Sequence, residues 1–148
     1  MEQKLSHLSL FSGCGGMDLG VVGGFKVHKS FVGNNTTNLF TKLPHSNFQT
    51  VFANDIKKDA QSFWMKNFPQ TEKNFVLGSI VDLVKDHEKN GNVFPKNIDL
   101  LTGGFPCQDF SVSGLRKGFN SSKSHLNDTN IQNSSETRGK LYLWMKKV

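Results

Sequence analysis

The apolar positions of this chain fall into four short runs, each closed by glycine or by an acidic turn. Residues 7–11 (HLSLF) lead directly into Ser12-Gly13-Cys14-Gly15-Gly16, and residues 17–22 then open a helix that Gly23-Gly24 ends. Residues 50–53 (TVFA) stop at Asn54-Asp55, after which Ala60, Phe63, Trp64 and Phe68 recur at helical spacing until Pro69. A third run, residues 75–80 (FVLGSI), reads as a strand with its terminal turn. An amphipathic helix follows over 81–90 and stops at Gly91, and its Lys85, Asp86, Glu88 and Lys89 form a solvated face. The fourth run, residues 98–102, ends at Gly103-Gly104. Strands alternating with helices predict an α/β domain around a mainly parallel sheet.

Two stretches lie outside this rhythm. Residues 25–49 have no clean period and read as an excursion with a short helix near 38–43, to which the sequence assigns no role. Residues 120–135 are dominated by Ser, Asn, Thr and Asp, with only Leu126 and Ile131 apolar, too little to hold a segment in place by burial.

Composition narrows the class. A chain of 148 residues has room for one domain with a core, and its 13 Phe favour packing over disorder. No apolar run reaches the roughly 18 residues of a membrane span, and the first residues lack a signal-peptide pattern. Cys14 and Cys107 make no disulfide framework, which fits a cytoplasmic protein. The histidines show no metal-ligand spacing, so no metal is expected. A formal charge of +6 suits a polyanion such as DNA, and suits a basic surface without a partner equally well.

Three places carry candidate chemistry. The glycine turn after residue 11 has the strand–turn–helix context of a nucleotide-binding unit but not the GxGxxG spacing. Asp55 at the end of the second strand can accept both hydroxyls of a ribose, or can cap the following helix. Cys107 follows the fourth strand in Phe105-Pro106-Cys107-Gln108, at the sheet end where α/β proteins bind ligands. There a thiolate can act as a nucleophile; the bland reading is a small buried side chain. Trp64, on the inner face of its helix, reads as core.

The stretch GGFPCQDFSVSG resembles the Pro-Cys catalytic motif of the DNA cytosine-5 methyltransferases. FSGCGGMDLG and VFANDIKKDAQ resemble that family's first and second cofactor motifs, in the family's order. The resemblance implies a partial, Rossmann-like methyltransferase fold of about four mainly parallel strands with flanking helices. It implies binding of S-adenosylmethionine by Phe11, Ser12, Gly13, Gly15, Gly16, Asp55, Ile56, Ser79, Ile80, Pro106 and Leu141, with Cys14 only packing. Ser79 stands where the family usually has an acidic residue that bonds the adenine amino group. Cys107 is implied to add to C6 of a cytosine flipped out of double-stranded DNA. Gln108, Ser111, Ser113 and Arg138 are implied to hold the DNA, the last within ETRGKLY, which resembles the next family motif.

The family's Glu-Asn-Val motif, its later arginine motif and its target-recognition domain are not found in these 148 residues. The expectation is therefore residues 1–148 as the N-terminal part of a methyltransferase domain, with 25–49 an excursion and 108–135 a catalytic loop and polar insertion. It would belong to a restriction-modification system and need a C-terminal half, supplied by a second polypeptide in a split enzyme. The alternatives are an inactive truncated remnant and a non-catalytic nucleic-acid-binding module. A thiol hydrolase would need a histidine beside Cys107, and His87 and His125 lie on a solvated helix and in a polar loop.

Overall fold

A computed structural model describes residues 3–33, 38–105 and 140–148. Four strands, β1 (Leu5–Leu10), β4 (Phe48–Asp55), β5 (Phe75–Leu77) and β6 (Leu100–Gly103), form one parallel sheet in the order β5-β4-β1-β6. Helices α1 (Gly16–Val22), α2 (Lys58–Asn67) and α3 (Ile80–Asn90) connect them, and a short α4 (Leu141–Met145) follows. This is the mainly parallel α/β sheet that the pattern predicts and the partial Rossmann-like architecture that the resemblance implies, with strand limits shifted by a few residues.

The strand order explains the layering. From β1 to β4 to β5 the chain moves one way across the sheet; from β5 to β6 it returns past β4 and β1. Crossovers of one hand therefore set α3 on the opposite face from α1 and α2. The side chains agree. Leu8, Leu10 and Phe52 pack with Ile80, Val81, Val84 and Phe94, against which Leu141, Trp144 and Met145 are laid. Ala53, Trp64 and Phe75 form the second cluster, with Met65 and Phe68.

One irregularity sets this division. His7 pairs with Thr50 but Leu8 pairs with Phe52, so β4 carries Val51 as an additional residue. A bulge of one residue inverts the alternation beyond it. Phe52 is thereby brought to the face of Leu8, where it is buried edge-on to Phe94 at 5.3 Å between ring centroids. Without the bulge it would share the face of His7 and Thr50.

Three expectations are corrected. No helix forms near 38–43: β3 (Phe40–Lys42) pairs antiparallel with β2 (Lys26–His28) as a separate two-stranded ribbon. On α2, Phe63 is exposed rather than inward, with Lys66 Nζ over its ring at 5.4 Å, while Trp64 is fully buried. The polar side of α3 is more than a solvated face. Glu88 accepts from Lys147 Nζ at 2.9 Å, and Lys85 and Lys147 both lie over the Trp144 ring, so this side receives α4. His87 also has a structural task, its Nδ1 accepting the amides of Val93 and Phe94 at 3.2 and 3.3 Å. Among the described residues, no helix is long and apolar enough to cross a membrane.

Candidate cofactor and nucleophile site

All four parallel strands end at the same rim, and the loops that leave them interlock there. The turn after β1 starts with Phe11 at φ 53, a left-handed conformation unusual for a residue with a bulky side chain. It closes through the Gly15 amide donating to the Ser12 carbonyl at 2.9 Å. Gly15, at φ 86, is required twice over: a Cβ there would stand 2.7 Å from the Phe68 ring and 2.9 Å from the Trp64 ring. Gly16 differs. Its φ is ordinary and a Cβ would meet nothing within 4 Å, so the protein itself does not demand glycine there. The open space lies over the first turn of α1, where amide groups lack intrahelical partners.

Beneath the turn runs a chain of buried polar contacts that the sequence pattern did not disclose. The Trp64 indole N–H and the Ser9 hydroxyl each donate to the fully buried Asp18 carboxylate at 2.5 Å. The Ser12 hydroxyl donates to Ser9 Oγ at 2.9 Å and accepts the Asn54 amide at 3.1 Å. Asn54, also buried, donates from Nδ2 to the carbonyls of Val76 and Gly78 at 2.9 and 3.0 Å. One continuous line thus joins α2, α1, β1, β4 and the end of β5. Its only sequence signal is the alternation of Ser9 with Leu8 and Leu10 in a sheet buried on both faces.

Asp55 sits half-buried at the end of β4. Its Oδ2 accepts the Gly13 amide at 3.0 Å and its Oδ1 accepts the Lys57 amide at 2.9 Å. Both sequence readings therefore have a basis, since the Lys57 contact tethers the start of α2. A carboxylate has about four acceptor positions, so each oxygen retains one for a ligand hydroxyl. Ile56 beside it is 38% exposed.

The remaining proposed residues divide. Ser79 is half-buried at the N-cap of α3, where its hydroxyl makes no capping bond. Ile80 is 3% exposed and belongs to the core, so its side chain presents no open face at the rim. Leu141 lies on α4, partly buried against the same cluster. Cys14 is exposed rather than packed, and its carbonyl accepts from Asn67 Nδ2 at 2.9 Å. Pro106, Cys107, Gln108, Ser111, Ser113 and Arg138 lie outside the described residues.

What leads up to Cys107 is described. Gly103 pairs with Leu10, and the Gly104 amide donates to the Leu10 carbonyl at 3.3 Å. A Cβ on Gly103 would stand 2.6 Å from Met145 Sδ, so glycine lets α4 close beneath the end of β6. Phe105 lies against Tyr142, ring centroids 5.5 Å apart. The point where β6 hands over to the Pro-Cys segment is therefore next to the glycine turn, at the switch in strand order where this class of sheet binds ligands.

Residues 5–132 match the family described as C-5 cytosine-specific DNA methylase. The chain belongs to that family. It is 36% identical over 122 residues to the type II methyltransferase M.BsuRI of Bacillus subtilis, a match covering 76% of this chain and 25% of that protein. Against the type II methyltransferase M.BspRI of Lysinibacillus sphaericus it is 35% identical over 121 residues, 78% of this chain and 26% of that protein. The orphan methyltransferase M.SssI of Spiroplasma monobiae is 33% identical over 96 residues, 55% of this chain and 25% of that protein. The chain thus spans about a quarter of the length of these relatives. The family uses S-adenosylmethionine as methyl donor.

Proposed function

We propose that this chain provides the cofactor-binding and nucleophile-bearing part of a DNA cytosine-5 methyltransferase, of the modification type named in its type II relatives. The observation that carries the proposal is the meeting of three segments at one rim: the residue 11–16 turn, Asp55, and the end of β6 at Gly103, three residues before Pro106. In this reading the free acceptor positions of Asp55 take the ribose hydroxyls, and Ile56 flanks the adenine. Phe11, Ser12, Gly13, Gly15 and Gly16 line the rest of the cofactor, and the space above Gly16 is what a ligand fills. Ser79 offers a neutral hydroxyl toward the adenine edge, Ile80 supports the site from the core, and Pro106 and Leu141 complete it.

When bound, S-adenosylmethionine offers an electrophilic methyl group for C5 of the base. The chain's own contribution is covalent. The Cys107 thiolate forms a bond to C6 of a flipped cytosine, which raises the electron density at C5. Methylation of C5 leaves S-adenosylhomocysteine; the C5 proton then passes to a water molecule acting as base while its electron pair re-forms the C5–C6 double bond, the C6–S bond breaks and the thiolate is released. Flipping costs a few kcal/mol of unstacking, which Gln108, Ser111, Ser113 and Arg138 offset by holding the DNA.

Labelled methyl transfer to duplex DNA tests this in three mixtures: the chain alone, the chain with a polypeptide carrying a Glu-Asn-Val motif, and that pair with Cys107→Ala. Transfer is expected only in the second. Transfer that survives Cys107→Ala removes the nucleophile assignment, and robust transfer by the chain alone removes the need for the second part.

A further inference from the structure

The ribbon formed by β2 and β3 is not used by the proposed chemistry. Its base is fastened to the end of α1 by Ser46 N–H to the Val22 carbonyl, and beside it Leu5 N–H donates to the Asn47 carbonyl where β1 and β4 begin, both 2.9 Å. The catalytic rim is at the other end of those strands. Within the ribbon, Lys26 stands directly opposite Lys42, and both are exposed. The next pair on the same face is His28 opposite Phe40, edge to face at 5.7 Å. Like charges directly opposed across two strands destabilise the pairing. No Asp or Glu occurs from residue 19 to residue 54 to relieve them.

We infer that this Lys26–Lys42 face is a DNA-backbone contact separate from the catalytic rim, with phosphates supplying a counter-charge that neighbouring sequence does not. Two lysines side by side match successive phosphates, and the partly exposed ring of Phe40 suits the sugar edge beside them. A double-stranded DNA partner is favoured over an acidic protein because the family acts on DNA and the whole chain carries +6. The contact goes beyond the proposed reaction, since it needs neither a cytosine nor a cofactor.

The test uses the 148-residue chain and a fluorescent duplex built only of A·T pairs, so that no target base is present. Affinity is read by anisotropy across a salt series, beside the melting temperature. Three proteins are compared: wild type, Lys26→Ala/Lys42→Ala, and Lys26→Glu. Removing two phosphate contacts makes the log K against log salt slope shallower by about 2. Lys26→Glu gives a similar loss while raising the melting temperature, because opposite charges then face each other across the ribbon. The inference is overturned by an unchanged slope in both variants, by a wild type without affinity for the duplex, or by losses that only follow lower melting temperatures in both. Dependence of polyglutamate binding on the two lysines, with duplex binding unaffected, assigns the face to an acidic protein and overturns it as well.

Discussion

The amide of Gly13 donates to Asp55 Oδ2 at 3.0 Å, joining the turn after β1 to the end of β4. This bond is made by the very carboxylate proposed to read a ribose, so the glycine turn and the sugar position are set by one group. Moving either would move the other. In the proposed reading this bond is made without a ligand, and a turn already held in place lowers the ordering cost of binding.

Gly16→Ala separates fold from ligand. Position 16 opens α1 with ordinary backbone angles and free space around a Cβ, so alanine should leave stability unchanged or raise it by roughly 0.5–1 kcal/mol. Affinity for S-adenosylmethionine should nevertheless fall at least several-fold if the cofactor fills that space. Urea denaturation and calorimetric titration of the same sample measure the two effects.

Asp18→Asn tests the buried polar line. The carboxylate accepts from both Ser9 and Trp64, whereas an amide must turn its NH2 toward one of these donors. A loss of about 1–3 kcal/mol in denaturant unfolding is expected. Trp64→Phe, which removes one donor and leaves the carboxylate short of a partner, should fall in the same range. Hydrogen exchange at Ser12 and Asn54 should quicken in both variants more than exchange in α3. Uniform quickening would mean that the line stabilises the domain without holding the turn.

Most of the sheet was legible because a parallel strand buried on both faces leaves a short apolar run, and Gly13, Gly91 and Gly103 mark where such runs stop or helices end. The ribbon was not. Lys26–His28 and Phe40–Lys42 are three residues each, too short for a period, and their pairing joins positions that local pattern cannot connect. The bulge at Val51 was equally hidden, since only partner register reveals it. Of the site, Phe11, Gly13 and Asp55 were readable from motif order and are brought together at the rim, while Asp18 and Asn54 beneath it, and His7 within the sheet, were missed. Each is a polar residue at an inward position whose partners come from other elements, so no single segment shows why it is there.

His7 adds a pH dependence. Fully buried, it lies between Thr50 Oγ1 at 3.0 Å from Nδ1 and Thr102 Oγ1 at 2.8 Å from Nε2, so it spans three strands. Burial lowers its pKa below 6.5, and the nearby Asp18 charge only partly opposes this. The unfolded chain therefore binds a proton at higher pH than the folded one. The stability due to neutral His7 is complete above about pH 6.5 and is lost as pH falls through the lower folded value. Melting temperature should drop as the pH is taken below 6.5. His7→Gln, though less stable at pH 8, should show a shallower drop over that window.

The account rests on a cofactor site at the junction of the residue 11–16 turn and Asp55. Calorimetric titration of S-adenosylmethionine into the wild-type chain and into Asp55→Ala tests it most directly. Saturable binding by the wild type, weakened at least tenfold by the substitution, is the predicted result. A wild type that takes up no cofactor, or an Asp55→Ala variant that binds it equally well, would contradict the account.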